Sequence, residues 1–185
     1  MINGLILAGG KSSRMHYDKE LVIYHGKPQL EYLIDLLRLF CPDVYVSCGK
    51  EKIPQAKNYI TDHFDLDSPL NGILSAFHFD PETAWLTVPI DMPNVDKKVI
   101  EYLLKSRDTH KAATCFTDSE GEEPEPLLTL WEAKSKPMLF DFFNSGGFSA
   151  KKFLQENDVN IIPCPDSKWL VNINTEEERI KFQKK

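Results

Sequence analysis

Short apolar runs alternate with segments of helical periodicity along almost the whole chain, and this alternation limits the folds available to it. The clearest early pair is an apolar run at 5–8, stopped by Gly9 and Gly10, and a segment at 29–40 whose apolar residues recur every three or four positions. A short apolar run that ends at glycines is typical of a buried parallel strand. Strands that alternate with helices predict an α/β domain, with a mostly parallel sheet and helices on both faces.

The same pattern continues through the rest of the chain. We expect strands at 44–48, 58–61, 85–88, 112–116, 127–131, 161–162 and 170–171, a further β-prone segment at 20–24, and helices at 73–79, 96–105, 136–143 and 149–156. A capping box that begins at Thr175 predicts the start of a final helix. Ligands of such sheets bind at the carboxyl ends of the strands, so we expect the chemistry in the loops that begin at Gly9, Gly49, Pro89 and Asn172.

Length and charge limit the classes of function. The 185 residues correspond to one domain over 1–185, since domains average roughly 150 residues. The formal net charge of −6 argues against non-specific binding of nucleic acid, which needs a basic face, but allows a locally basic pocket for phosphates. No apolar run approaches the ~20 residues of a membrane span, and no basic region precedes the first apolar run. We therefore expect a cytoplasmic protein with no signal peptide and no membrane segment.

The cysteines and histidines lack the spacing of a metal or redox site. The chain has four cysteines: Cys41, Cys48, Cys115 and Cys164. They form no Cys-x-x-Cys pair, which favours buried, reduced thiols over a zinc ribbon or thioredoxin-like site. An acidic run at 62–67, which contains His63, could hold a second cation, although such a run is more often a solvated loop.

The loop after the first predicted strand suits a nucleoside triphosphate. Gly9 and Gly10 allow the backbone to approach a ligand closely. The donors that follow are Lys11, Ser12, Ser13, Arg14 and Lys19. A Walker motif is excluded because its first glycine would fall at Leu5, and no dinucleotide fingerprint follows Gly10, which disfavours an NAD-type oxidoreductase. A generic glycine turn remains the alternative at this point.

Two further loops carry polar side chains with two possible roles each. Asp91 follows a predicted central strand, where it can bind a Mg²⁺ that bridges phosphates or cap the next helix, for which Pro93 is a candidate first residue. Asn172 and Asn174 point to the same side of an extended segment and can contact a ligand. Alternatively, Asn174 or Thr175 caps the last helix.

The order of these motifs resembles that of nucleotidyltransferases of the molybdenum cofactor guanylyltransferase type. The matching segments are Leu-Ala-Gly-Gly-x-Ser-x-Arg-Met-x-x-Asp-Lys at 7–19, Gly26-Lys27-Pro28, Pro69-Leu70-Asn71-Gly72, Pro89-x-Asp91-Met92-Pro93, Glu125-Pro126-Leu127 and Asn172-Ile173-Asn174-Thr175. The resemblance spans almost the whole chain. It implies a Rossmann-like three-layer α/β sandwich with a mostly parallel mixed sheet, similar to the nucleotide-diphospho-sugar transferases, formed by a single nucleotidyltransferase domain.

The resemblance also implies a reaction and its participants. GMP would pass from GTP to the terminal phosphate of molybdopterin, with release of pyrophosphate and with Mg²⁺ as cofactor. A molybdoenzyme or a cofactor-handling protein would be the candidate protein partner.

Site residues follow from the same resemblance. Nucleotide binding would fall to Leu7, Ala8, Gly9, Gly10, Lys19, Asp62 and Asp91. The catalytic residues would be Arg14 and Lys19, on the triphosphate, and Asp91, which would also hold the metal. Asp62 would contact the nucleoside. On the pterin side would lie Asn172 and Asn174.

The chain departs from the family pattern at three places. His16 stands where the family usually has glycine after Arg-Met, Ser68 replaces the glycine before Pro-Leu, and Cys48-Gly49 stand where an asparagine often follows the second strand. These departures leave two alternatives open. One is a cytidylyltransferase or another NTP transferase of the same fold, and the other is a non-catalytic accessory protein that binds GTP or molybdopterin.

Overall fold

A computed structural model describes residues 1–8, 19–50, 58–118 and 120–183. The strands of these residues are β1 (Ile2–Leu7), β2 (Val44–Cys48), β3 (Tyr59–Thr61), β4 (Ala84–Pro89), β5 (Ala113–Thr117), β6 (Pro124–Trp131) and β7 (Asn160–Ile162). The α-helices are α1 (Gln29–Leu37), α2 (Leu70–Phe79), α3 (Lys97–Lys105), α4 (Ser135–Asn144), α5 (Ala150–Glu156) and α6 (Glu176–Gln183).

The strands form one mixed sheet in the order β3-β2-β1-β4-β6-β5-β7. Neighbouring strands are parallel, except that β6 runs antiparallel to both β4 and β5. The reversal of β6 places its first residues at the sheet edge where β1, β2 and β4 end. That edge therefore collects residues from the end of the parallel strands and from the start of β6.

The sheet is covered by helices on both faces. In β1, Ile6 packs in an apolar cluster with α1 and α3, whereas Leu5 and Leu7 pack in a second cluster with α2, α4 and α5. Successive side chains of a strand point to opposite faces, so the two clusters are the two faces of the sheet. The predicted three-layer sandwich with a mostly parallel mixed sheet is confirmed.

Two predicted β segments are wrong. The segment at 20–24 contains a short 3-10 helix, Lys19–Leu21, and a single bridge from Ile23 to Pro28. In the segment at 170–171, Leu170 is the last residue of another 3-10 helix, Ser167–Leu170, and Val171 follows it outside any strand. Both segments have apolar residues that favour a strand locally, but a strand also needs an adjacent edge with which to pair.

Helix α3 begins at Lys97, which confirms the prediction of a helix at 96–105 and not the alternative start at Pro93. Its N-cap is Asp96, whose carboxylate accepts hydrogen bonds from the backbone N–H groups of Lys98 and Val99. The alternative role of Asp91 as a helix cap is therefore wrong. In the described residues, no helix is both long and apolar enough to cross a membrane.

The Asp96 cap leads to a prediction for stability. Asp96→Ala is expected to lower the free energy of unfolding by about 1 kcal/mol, because two N–H groups at the helix start lose their acceptor. In a chain of this size that corresponds to a fall in Tm of about 2–4 °C. Glu101→Ala, on the exposed side of the same helix, is the control, and a Tm loss as large as that of Asp96→Ala would contradict the capping role.

Candidate active site

Part of the predicted phosphate loop lies outside the described residues. This part includes Gly9, Gly10 and Arg14, as well as His16. Lys19 begins the 3-10 helix Lys19–Leu21, but its side chain is also outside the description. The described part of the predicted site comprises Leu7, Ala8, Asp62, Asp91 and the Asn172–Asn174 segment.

The end of β1 lies between the ends of β2 and β4. In register, Leu7 is opposite Ser47 of β2 and Pro89 of β4. The Leu7 side chain is buried in the core, and its carbonyl accepts a hydrogen bond from the N–H of Ile90 at 3.2 Å. Ala8 follows at the edge and is half-buried. A ligand at this edge would therefore meet the backbone of Leu7.

Asp91 and the asparagine segment meet at the same edge. Asp91 is half-buried, two residues beyond β4, and its carbonyl accepts a hydrogen bond from the N–H of Ile173 at 2.8 Å. The Ile173 side chain is buried, while Asn172 and Asn174 on either side of it are exposed. The structure thus brings Asp91 together with the Asn172–Asn174 segment, which is far from it in the sequence.

The capping box of the last helix is confirmed, and its cap is Thr175. The Thr175 hydroxyl accepts a hydrogen bond from the N–H of Glu178, while the Glu178 carboxylate accepts from the N–H groups of Thr175 and Asn174. These hydrogen bonds, first that from Asn174, lower the pKa of Glu178. Asn174 thus joins the cap through its backbone N–H. The helix start holds the asparagine segment in place beside Asp91.

Asp62 lies beyond the end of β3, on the β2 side of the same edge. Its N–H donates to the carbonyl of Cys48 at 2.9 Å, and the Ser47 hydroxyl lies 3.5 Å from its Oδ1 atom as a weak donor. Ser47 is itself opposite Leu7. At the end of β2, the side chain that faces Asp62 is therefore that of Ser47. Ser47 directly precedes Cys48-Gly49, which stand where the family often has an asparagine.

Glu125 is a buried carboxyl group that the sequence did not assign to the site. In the antiparallel β4–β6 ladder Thr87 pairs with Thr129, so Glu125 lies toward the end of β4, where the charge of Asp91 acts on it. Burial, and to a smaller extent the charge of Asp91, raise the pKa of Glu125, although the N–H of Leu127 donates to its Oε1 atom at 2.8 Å. The Glu-Pro-Leu motif was the sequence signal that could have pointed to Glu125. The proximity of Glu125 to Asp91, however, depends on the antiparallel direction of β6.

The oxygen donors at this edge fit a hard divalent cation. Carboxylates are the protein ligands that Mg²⁺ and Mn²⁺ favour. Asp91 supplies one carboxylate, and Glu125 places a second, buried carboxyl group near it.

The second cation suggested for the acidic run is not supported. In the described parts of the chain, no group of three or more His, Cys, Asp or Glu side chains is placed to hold a metal. Within the run, the ring of His63 instead stacks on that of His78, with 4.2 Å between centroids. The alternation of exposed and half-buried residues at 61–68 is that of a solvated loop with two anchors, Phe64 and Leu66.

The four cysteines are free thiols. Three of them are buried and Cys164 is half-buried, so the prediction of buried, reduced thiols is confirmed for three and is wrong for Cys164. Burial raises the pKa of Cys41 to about 12 and, with a smaller effect of Glu125, that of Cys115 to about 12. These two thiols therefore stay protonated at neutral pH and are not nucleophiles.

Ser68, one of the departures, supports the start of α2. Its hydroxyl accepts a hydrogen bond from the N–H of Leu70 at 3.1 Å and donates to the carbonyl of Phe148 at 2.6 Å. Glycine could make neither contact. The prediction that this helix begins at 73 is therefore three residues late.

The family of the chain follows from a comparison over most of its length. The family model described as "MobA-like NTP transferase domain" matches residues 4–161. The chain belongs to this family. The resemblance inferred from the motifs is thereby confirmed, and the MobA-like fold accounts for the shared edge on which Leu7, Asp62 and Asp91 lie.

Two curated proteins illustrate the sequence similarity of this MobA-like chain. A molybdenum cofactor biosynthesis bifunctional protein of Synechocystis is 30% identical over 184 residues, which are 95% of this chain and 52% of that protein. The chain thus spans about half the length of this relative. A molybdenum cofactor guanylyltransferase of Pseudomonas fluorescens is 28% identical over 179 residues, 94% of this chain and 89% of that protein.

Two solved structures illustrate the shared fold. Molybdopterin-guanine dinucleotide biosynthesis protein A of Archaeoglobus fulgidus has a TM-score of 0.79 at 22% identity, covering 98% of this chain and 97% of that one. A Mycobacterium tuberculosis protein in complex with manganese has a TM-score of 0.64 at 13% identity, covering 99% of this chain and 98% of that one. At these identities, the likeness concerns the fold.

Proposed function

We propose that this MobA-like protein, acting as a single nucleotidyltransferase domain over 1–185, transfers GMP from GTP to the terminal phosphate of molybdopterin and releases pyrophosphate. The observation that carries the proposal is the meeting of Asp91 with the Asn172–Asn174 segment at the end of β4. The Pseudomonas fluorescens relative, matched along almost its whole length, bears the guanylyltransferase name. The contact supports a site in which a nucleotide and an acceptor meet at this edge, and the name of the relative supports the transfer of GMP.

The proposed roles divide the edge into two sides. On the nucleoside side, Asp62 and the backbone of Leu7 lie on either side of Ser47 and would bind the base and ribose together with Ala8, Gly9 and Gly10. On the opposite side of Leu7, Asn172 and Asn174 would contact the pterin. Asp91 stands between these two sides, where the α-phosphate of GTP would lie.

Phosphoryl transfer at this edge needs charge neutralisation and alignment more than a base. The terminal phosphate of the acceptor is already ionised near neutral pH, so no side chain has to remove a proton from it. The acceptor oxygen forms a bond to the α-phosphorus as the bond to pyrophosphate breaks. Arg14 and Lys19 would bind the triphosphate and stabilise the charge that develops on the leaving pyrophosphate.

The proposed cofactor is Mg²⁺, held by Asp91. When bound, the cation would offset the negative charge of the triphosphate. Without the cation, the Asp91 carboxylate would repel the negatively charged triphosphate. The fold neighbour in complex with manganese supports the use of a divalent cation.

The test is pyrophosphate release from GTP and Mg²⁺, measured with and without molybdopterin. We expect release that requires molybdopterin and that is much slower with CTP or ATP. If CTP supports pyrophosphate release and GTP does not, the proposed site is retained and the proposed preference for guanine is wrong. If GTP protects the protein from thermal unfolding but no pyrophosphate appears under any condition, the chain is a binding protein and the proposed reaction fails.

We also infer a cytoplasmic location and transfer of the finished cofactor to a molybdoenzyme or a cofactor-handling protein. The four free thiols support a reducing compartment. Cell fractionation, with a cytoplasmic and a periplasmic marker, tests the location. Recovery of the protein with the periplasmic marker would contradict it.

A further inference from the structure

The loop at 62–67, here called the Asp62 loop, is attached to helix α2 by one buried side chain. Asn71, in the first turn of α2, is 3% exposed. Its Oδ1 atom accepts a hydrogen bond from the N–H of Phe64 at 3.2 Å, and its Nδ2 atom donates to the carbonyls of Phe64 and Leu66, both at 2.9 Å. One side chain thus takes up three backbone groups of the loop.

A second side chain extends this cluster to the residue next to Asp62. The Ser75 hydroxyl, one turn farther along α2, donates to Oδ1 of Asn71 at 3.2 Å and accepts from the N–H of His63 at 2.9 Å. Ser75 is buried as well. Hydrogen bonds therefore connect α2 with residues 63, 64 and 66, and Asp62 leaves the end of β3 immediately before them.

The same helix is fixed against the ends of β1 and β2. A Cβ atom at Gly72 would collide with the Ser47 hydroxyl and would lie 3.2 Å from Cδ2 of Leu7. The close approach is possible because residue 72 has no side chain. Since α2 rests directly on Ser47 and Leu7, its hold on the loop also fixes Asp62 relative to these strand ends.

Asn71 is not needed to hold α2 on the sheet. The helix already buries four large apolar side chains completely: Leu70, Ile73, Leu74 and Phe77. A buried amide adds nothing to such a core, and it is tolerated only when its hydrogen bonds are made. In this molecule the partners that satisfy it are the backbone groups of the Asp62 loop, so its contacts serve the loop.

We propose that Asn71 is a positioning residue of the nucleotide site, which holds the Asp62 loop so that the Asp62 carboxylate faces a nucleoside bound at the ends of β1 and β2. The inference rests on the proposed function, because it takes Asp62 as a nucleoside contact. A loop that is already ordered loses less conformational entropy when the ligand binds. Asn71 therefore acts on the affinity for the nucleoside through Asp62 and does not touch the phosphates.

The test is a double-mutant cycle on GTP affinity. Calorimetry with GTP and Mg²⁺, without molybdopterin, is performed on the full chain and on Asn71→Ala, Asp62→Ala and the double variant. We expect each single variant to bind GTP about tenfold more weakly and the double variant to be no weaker than the weaker single one. Losses that multiply in the double variant would overturn the proposal.

A phosphate-only ligand distinguishes positioning from general loss of structure. Inorganic tripolyphosphate has no nucleoside, so Asn71→Ala should leave its affinity unchanged. A matched control is Asn160→Ala, because Asn160 also donates to a backbone carbonyl, that of Ser106 at 2.8 Å, but at the other end of the sheet. It should lower Tm without changing either affinity. Equal weakening of tripolyphosphate and GTP by Asn71→Ala would indicate a structural role only.

Hydrogen exchange separates failure of this inference from failure of the proposed function. If the unaltered chain does not bind GTP, the proposed function fails, and the exchange rates at the N–H groups of His63 and Phe64 then decide the role of Asn71. Exchange at least about tenfold faster in Asn71→Ala, at unchanged rates in β1, supports the hold on the loop. Unchanged exchange at both N–H groups overturns it.

Discussion

Asp91→Asn is expected to slow molybdopterin-dependent pyrophosphate release from GTP at least about a hundredfold, with the fold intact. Asparagine keeps the shape of aspartate but loses the negative charge that the proposed Mg²⁺ requires. The attachment of the asparagine segment should survive, because it is the backbone carbonyl of Asp91 that accepts the hydrogen bond from Ile173. The loss should therefore appear in catalysis and metal dependence rather than in stability.

The measurement is a titration with Mg²⁺ at saturating GTP and acceptor. Asp96→Ala is the matched control: it changes another aspartate of the same β4–α3 connection, has a structural role, and should lower Tm while leaving the rate within about threefold. Near-normal release by Asp91→Asn at ordinary Mg²⁺ concentrations would show that the metal is held elsewhere. A large rate loss in Asp96→Ala would show that the whole connection, and not the Asp91 carboxylate, is responsible.

The sequence predicts the sheet well where burial decides the structure. The apolar run in β1 is buried on both faces, and few structures other than a central strand satisfy such a run. The segments at 20–24 and 170–171 have the same local preference and fail, because strand pairing depends on a partner that local sequence does not describe. The choice of cap for α3 has a related cause, since both Asp91 and Asp96 precede the helix and only the contacts with Lys98 and Val99 identify Asp96 as its cap.

The residues of the candidate site fall into two similar groups. Motifs in the sequence predict some of them, whereas the others are recognised only from their contacts with other elements. Asp91 and the asparagine pair could be named because each belongs to a motif of fixed order, and Asp62 because the family resemblance implies an acidic residue ahead of the Pro69–Gly72 segment. Glu125 and Asn71 also lie within quoted motifs, but their functions depend on neighbours from other elements: the reversed β6 for Glu125 and the Asp62 loop for Asn71. The spacing of residues along the sequence does not indicate which distant elements come into contact.

Glu125 in β6 and Glu132, the residue after this strand, are both buried and should respond in opposite directions to replacement by glutamine. Glu132 is 5% exposed and receives two hydrogen bonds from the Arg107 guanidinium, at 2.6 and 2.7 Å. Glu132→Gln removes the charge that this half-buried cation needs, and should lower the free energy of unfolding by about 2 kcal/mol. Tm should fall by about 4–8 °C.

Glu125→Gln should instead raise Tm at neutral pH. Burial, and then the charge of Asp91, raise the pKa of Glu125 in the folded chain above its ordinary value. A carboxyl group with a raised pKa contributes stability that is fully present below its unfolded-state pKa and is lost as pH rises through its folded-state pKa. Because glutamine stays neutral, the advantage of Glu125→Gln over the unaltered chain should be small in acid and grow as pH rises. Thermal unfolding from pH 4 to pH 8 measures it.

A stability gain at Glu125 should be accompanied by a loss of activity. A buried carboxyl group that destabilises the folded chain is typical of a functional site, where charge is placed for the ligand rather than for the fold. Without the negative potential of Glu125, cation binding at Asp91 should weaken, so Glu125→Gln should need more Mg²⁺ for the same rate of pyrophosphate release. Glu132→Gln should leave that requirement unchanged. If Glu125→Gln proves less stable at neutral pH, or if both variants need the same Mg²⁺ concentration, Glu125 belongs to the scaffold.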